Sequence, residues 1–240
     1  MRRTSIDCPG SEPRRRTIAV LALAFLATAG LTACSGMGDE QAAVTPSPRS
    51  TKPSPIRVAV VGDSNTTGLS GTLENGIAAG QSWVAQLHEP WFVVVGGWAR
   101  DGASTALMAE QVEPLPDVDV LVLMGGTNDP PVGIGQEETI GNLRKIVDVV
   151  HPDAVVLSSV PPVQTVPKRA TDLNAALQET AVQAHWRFAD PWAALRVPGG
   201  TWAPPYLRDG IHTNTAGYAL VGQALRDVIR GTADAGGASY

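Results

Sequence analysis

The sequence predicts an α/β fold, in which a central parallel sheet of about five strands lies between two layers of helices. Short apolar runs alternate along the chain with longer segments whose apolar residues recur at helical spacing. The runs are apolar throughout, which is typical of parallel strands that are covered on both faces. We therefore expect a three-layer α/β/α sandwich of flavodoxin-like type, with strands at 57–61, 91–95, 118–124, 154–158 and, more weakly, 187–189.

Helices are expected between these strands and after the last one, at 82–87, 103–111, 136–150, 168–185 and 214–230. In the last segment, helical periodicity is clear, because Ala224, Leu225, Val228 and Ile229 fall on one face. The chain shows no internal repeat and no second domain. A single domain is predicted at 56–231, followed by a disordered tail at 232–240.

Residues 1–33 have the layout of a secretory signal peptide, since three arginines at 14–16 precede an uncharged apolar run that ends in small residues. At about 17 residues, this run is at the short limit for spanning a bilayer. The segment LTAC at 31–34 resembles a bacterial lipobox, which implies lipidation of Cys34. We expect an exported protein that is lipid-anchored on the outer face of the membrane or, alternatively, secreted.

The segment 34–55 is rich in Ser, Pro and Thr, and it is predicted to be a flexible tether. Removal of residues 1–33, which contain five arginines and two acidic residues, takes the net charge from −5 to −8 and leaves Cys34 as the single cysteine. An acidic chain without a basic cluster argues against nucleic acid as a partner and against adsorption to anionic membranes. Any membrane contact is expected through the lipid on Cys34 alone, and we expect a monomer.

Three polar stretches occupy the positions where ligands bind in open parallel sheets, beyond the carboxyl ends of the strands. They are GDSN at 62–65, GGTND at 125–129 and DGIH at 209–212. Each stretch alone is explained equally well by a turn or a helix cap. Asp209 and His212, however, are spaced so that one turn could hold a carboxylate against an imidazole, as in a serine triad.

The other histidines favour His212 as the functional one. His88, His151 and His185 each lie beside a proline or at the end of a predicted helix, which indicates surface or helix-terminal roles. Four scattered histidines and one cysteine are too few for a transition-metal cluster. No metal is therefore predicted.

Taken together, the blocks resemble the SGNH/GDSL hydrolase family. Gly62-Asp63-Ser64, Gly102, Gly126-Thr127-Asn128-Asp129 and Asp209-Gly210-Ile211-His212 match the four family blocks in order, across essentially the whole predicted domain. The residue after Ser64 is Asn65 where the family usually has Leu.

The resemblance implies a serine esterase that needs no cofactor. Ser64 would be the nucleophile, His212 the general base and Asp209 the residue that orients the imidazole. The oxyanion hole would be formed by the backbone N–H groups of Ser64 and Gly102 and by the Asn128 amide. Gly102 was expected to suit this role because a missing side chain lets the backbone approach the substrate.

The substrate is expected to be a small acyl ester or an acylated carbohydrate. An O-acyltransferase that uses the same triad is an alternative, as is a non-catalytic envelope protein on a hydrolase fold. Four aspartates near strand ends are expected to have turn and network roles: Asp63, Asp101, Asp129 and Asp190. Four aromatic residues in or beside predicted edge loops are expected either to form a substrate wall or to pack against the core: Trp98, Trp192, Trp202 and Tyr206.

Overall fold

The computed structural model describes residues 54–74 and 81–236, which contain a five-stranded parallel sheet in the order β2-β1-β3-β4-β5. This confirms the predicted α/β sandwich. The strands are β1 (Ile56–Gly62), β2 (Phe92–Ala99), β3 (Val120–Met124), β4 (Ala154–Ser158) and β5 (Arg187–Ala189). The chain runs from β1 to β2 on one side and then returns to β3 on the other side, so β2 and β3 flank β1. Ligands of such sheets bind at the carboxyl ends of the strands beside this change of direction.

Within the described ranges, five α-helices connect or follow the strands, with short 3₁₀ turns at 83–86, 130–132, 193–195 and 204–206. The helices are α1 (Ser64–Thr67), α2 (Thr105–Gln111), α3 (Gln136–Val150), α4 (Pro167–Gln183) and α5 (Thr215–Gly236).

The alternating side chains of the strands build a separate core on each face of the sheet. Val58 and Val60 of β1 pack with Tyr218, Val221 and Leu225 of α5. Their neighbours Ala59 and Val61 point to the opposite face, where the buried side chains of α2, α3 and α4 lie. Both faces of every central strand are thus covered, which explains why the strands are apolar throughout.

Strand β2 continues beyond the predicted segment 91–95 as far as Ala99. Its register against β1 shifts between Val58 and Ala59, and Gly96 and Gly97 follow this irregularity. A Cβ at Gly97 would lie 1.9 Å from the Val60 carbonyl oxygen, so only glycine allows the two strands to approach there. Because glycine is uncommon inside strands, Gly96 and Gly97 led to a predicted strand that ends too early.

Two further predictions need correction. The predicted helix at 82–87 is a single 3₁₀ turn, Trp83–Gln86. The predicted disordered tail at 232–240 is wrong for its first residues, because α5 continues to Gly236, with Ala233 packed against the core and the Thr232 hydroxyl bonded to the Val228 carbonyl oxygen. The signal peptide, Cys34 and all but the last residues of the predicted tether lie outside the described residues.

Across the two described ranges, no helix is both long and apolar enough to cross a membrane.

Candidate active site

Ser64 is the first residue of α1, directly after β1 and a single capping residue, Asp63. The Asp63 carboxylate accepts a hydrogen bond from the Asn65 N–H at 2.9 Å, and the Asp63 carbonyl oxygen accepts from the next two N–H groups. The Ser64 N–H is not used in this capping. Gly62 is required for space, because a Cβ there would lie 2.1 Å from the Thr66 hydroxyl oxygen.

The structure brings Ser64, His212 and Asp209 together in one hydrogen-bonded line. His212 Nε2 lies 2.8 Å from Ser64 Oγ, although the two residues are 148 positions apart in the chain. On the other side of the ring, His212 Nδ1 lies 2.9 Å from Asp209 Oδ2 and 3.0 Å from Oδ1. With the proton on Nδ1, the ring donates to the carboxylate and Nε2 can accept the Ser64 proton, which is the arrangement of a serine triad.

The turn that carries Asp209 and His212 is fixed from both sides. Asp209 Oδ1 accepts from the His212 N–H at 2.9 Å and from the Ile211 N–H at 3.2 Å. The Gly210 carbonyl oxygen accepts from the Gln164 N–H and from Trp202 Nε1. Hydrogen bonds therefore connect the turn to Gln164, in the segment after β4, and to the buried Trp202.

The charge state of Asp209 suits an orienting role. Partial burial raises the pKa of Asp209, but the hydrogen bonds from the His212 backbone and ring and from Ile211 outweigh that effect, so the pKa is lowered. The carboxylate is therefore ionised at neutral pH and can stabilise a positive His212.

Asn128 and Gly102 lie in adjacent loops, after β3 and β2. Asn128 Nδ2 donates one hydrogen bond to the Ala103 carbonyl oxygen at 3.0 Å, which fixes the amide beside the loop that contains Gly102. Gly102 has a φ of +73°, a conformation that favours glycine, whereas a Cβ there would meet nothing within 4 Å. The positive φ is thus a reason for glycine at this position in addition to the expected close approach of the substrate.

Hydrogen-bonded carboxylates support both loops. Asp129, only 1% exposed, accepts from the Thr105 N–H at 2.7 Å and from the hydroxyls of Thr105 and Thr139 at 2.5 Å. The Asp101 carboxylate accepts from the Thr67 hydroxyl and the Gly71 N–H. These contacts, and those of Asp190 with Ser159 and Arg196, match the network roles expected for the aspartates.

Asp63 is fully buried directly beside the triad. Burial raises its pKa to about 6, against the lowering effects of the Asn65 hydrogen bonds and the His212 charge. Within the described part of the chain, Asp63 Oδ2 makes no hydrogen bond, and neither does the buried Thr127 Oγ1. Burial thus makes protonation of Asp63 easier, but at a pKa of about 6 the carboxylate is still the main form at pH 7.

Asn65, where the family usually has Leu, has a partner that the sequence did not reveal. The Tyr218 hydroxyl, in the first turn of α5, donates to Asn65 Oδ1 at 2.9 Å, and both side chains are buried. Burial and the neighbouring Asp63 carboxylate raise the pKa of Tyr218, so its hydroxyl stays protonated as the donor. The pair connects α1 to α5.

The other candidate residues have structural roles. Trp192 and Trp202 are 0% and 3% exposed and pack edge-to-face, so they belong to the core and not to a substrate wall. Trp98 and Tyr206 are half-buried against the core. His88, His151 and His185 are exposed, as expected. Among the described residues, no three His, Cys, Asp or Glu side chains are grouped so that they could bind a metal ion.

Comparison with known proteins identifies the family. The GDSL-like lipase/acylhydrolase family matches residues 60–220, about two thirds of the chain and the whole of the site. The chain belongs to this family and is an SGNH-type esterase. A search of curated proteins finds no significant match.

Solved structures with the same fold include several esterases. A GDSL-like lipase from Bacteroides thetaiotaomicron is 18% identical, with a TM-score of 0.55 over 75% of this chain and 92% of its own. An acetyl xylan esterase from Geobacillus stearothermophilus is 16% identical, with a TM-score of 0.53 over 72% and 94%. An aryl esterase from M. smegmatis is 19% identical, with a TM-score of 0.55 over 74% and 99%. At these identities, the likeness shows the fold alone.

The Asn65–Tyr218 pair generates a stability prediction. Tyr218→Phe and Asn65→Leu should each lower the free energy of unfolding by about 1–3 kcal/mol, because each leaves a buried polar group without its partner. The double variant should lose clearly less than the sum of the two, since both polar groups are then gone. Urea denaturation of the four proteins measures this coupling, and strictly additive losses would contradict it.

Proposed function

We propose that the chain hydrolyses acyl esters through a covalent acyl-enzyme on Ser64, with His212 as general base and Asp209 as the orienting carboxylate. The observation that carries the proposal is the line of contacts from Ser64 Oγ through His212 to Asp209, at 2.8 Å and 2.9 Å. An imidazole at hydrogen-bond distance from a hydroxyl can remove its proton as the oxygen attacks.

The reaction follows from this geometry in two halves. Ser64 Oγ attacks the ester carbonyl carbon and its proton passes to His212 Nε2, which then gives it to the departing alcohol oxygen. Water next attacks the acyl-enzyme, gives a proton to Nε2 and releases the carboxylic acid, with Ser64 Oγ taking the proton back. Asp209 remains ionised throughout and stabilises the imidazolium that each half creates.

Negative charge develops on the carbonyl oxygen in both halves. The proposed donors to it are the N–H groups of Ser64 and Gly102 and the second N–H of the Asn128 amide. The bond from Asn128 to Ala103 supports this role, because it orients the amide before the substrate arrives. A donor that is already oriented stabilises the transition state without reorganisation.

The proposed substrates are short-chain esters or O-acyl groups on carbohydrate. One solved structure with this fold is an acetyl xylan esterase, which supports a small acyl group on carbohydrate as a substrate. The family assignment favours an enzyme over a non-catalytic binding protein.

A fluorophosphonate probe tests the nucleophile. The wild-type protein should be labelled on Ser64, and Ser64→Ala should abolish labelling and lower kcat on 4-nitrophenyl acetate by at least about 10³-fold. Ser54→Ala, at an exposed serine just before β1, is the matched control and should label fully. Equal labelling of Ser64→Ala and wild type would rule out Ser64 as the nucleophile.

We propose in addition that Cys34 is lipidated and that the protein is exported and anchored by this lipid alone. The support is the sequence of residues 14–34, which lie outside the described residues. Mass spectrometry of the mature protein should find Cys34 at the N-terminus with a diacylglycerol adduct, and Cys34→Ser should release the protein from membranes. A mature N-terminus at any other residue would refute the lipobox.

A further inference from the structure

A pocket of about 190 Å³ opens beside the proposed oxyanion donor. Gly126, Thr127 and Asn128 line one side of it, and Ile211, the neighbour of His212, lines it as well. Because Asn128 is the proposed contact of the carbonyl oxygen, the pocket begins next to the carbon that Ser64 would attack. It therefore lies where the acyl part of an ester would extend.

The pocket walls are apolar. Buried Val160, Ala170 and Leu173 form its inner surface, and Val166 and Ile211 line it with 40% and 38% of their surfaces exposed. Large apolar side chains exposed around a concavity are typical of ligand sites. A cavity of roughly 150 Å³ holds a benzene molecule, so this pocket has room for an acyl chain of about six carbon atoms.

Arg169 is the only charged residue that lines this pocket. It also lines a wider neighbouring cleft of about 690 Å³, which shares Pro130, Val166 and Leu173 with the pocket but includes neither Asn128 nor Ile211. Arg169 thus lies where the pocket and the cleft adjoin.

The guanidinium of Arg169 has no partner of its own. Within residues 54–74 and 81–236, its side chain makes no hydrogen bond and no ion pair, whereas the adjacent Lys168 is bound to Asp172 at 2.7 Å. An unpaired arginine beside an apolar pocket is suited to bind a carboxylate, which it can contact with two parallel N–H groups.

We propose that this pocket is the acyl subsite and that Arg169 selects acyl groups that end in a carboxylate. The inference rests on the proposed function, because it needs Ser64 to attack the ester carbonyl. The substrates would be monoesters of short dicarboxylic acids, in which the apolar chain fills the pocket and the free carboxylate pairs with Arg169. Hydrolysis with one water releases the alcohol and the dicarboxylic acid.

Two esters of equal length test this charge preference. Mono-4-nitrophenyl adipate and 4-nitrophenyl hexanoate share a six-carbon acyl chain and the leaving group, but only the adipate carries a terminal carboxylate. The wild type should have the higher kcat/KM on adipate. Arg169→Gln should lower the adipate-to-hexanoate ratio of kcat/KM by about fivefold, the size expected for a solvent-exposed charge pair.

Three controls separate charge recognition from structural damage. Arg169→Lys should retain most of the ratio, and Lys168→Gln, which removes the adjacent cation outside the pocket, should leave the ratio unchanged. High salt should lower the wild-type ratio, because it screens the pair.

A ratio that Arg169→Gln leaves unchanged, or that Lys168→Gln lowers equally, would overturn the role of Arg169. A wild type that hydrolyses 4-nitrophenyl acetate but neither six-carbon ester would overturn the pocket as acyl subsite, although the proposed function would stand. If no ester is hydrolysed and no probe labels Ser64, the proposed function itself fails, and the inference falls with it.

Discussion

The contact between Ser64 Oγ and His212 Nε2 depends on how firmly two distant chain segments are placed relative to each other. Ser64 is fixed by the end of β1 and by the Asp63 cap, and His212 by the turn before α5. The Tyr218–Asn65 hydrogen bond connects α5 directly to α1, one residue from the nucleophile. A 2.8 Å approach across 148 positions is thus maintained by packing of α5 on the sheet and by one buried polar pair.

A second layer of buried polar contacts supports the loops that carry the proposed oxyanion donors. Asp129 accepts three hydrogen bonds from α2 and α3, and it immediately follows Asn128 in the chain. Such a network restricts the position of the Asn128 amide. A side chain that is already held in place needs little reorganisation during the reaction, and the free-energy cost of that step is therefore small. The same residues therefore contribute to stability and to the proposed chemistry.

The sheet could be predicted from local pattern, whereas the candidate site residues were proposed from their places after strands, from the spacing of Asp209 and His212 and from a family resemblance. Apolar runs indicate strands, and the carboxyl ends of parallel strands meet at one edge, so the residues that follow them had to be neighbours. The partner of Asn65 could not be predicted, since Tyr218 is 153 positions away and looks like an ordinary core residue of an amphipathic helix.

Other features escaped prediction for the same reason. The continuation of β2 past Gly96 and Gly97 depends on contact with β1 and not on strand propensity. The burial of Trp192 and Trp202 reflects how the last loops pack on α5. The pocket near Arg169 arises only when α4 lies beside the loop after β3.

The central claim is that the triad and three N–H donors converge on one ester carbonyl. A crystal structure of the protein inhibited by a phosphonate tests it most directly. We expect phosphorus bonded to Ser64 Oγ and a phosphonyl oxygen about 2.7–3.1 Å from the N–H groups of Ser64 and Gly102 and from Asn128 Nδ2. A phosphonyl oxygen that points to solvent, or one bound by groups other than these three, would contradict it.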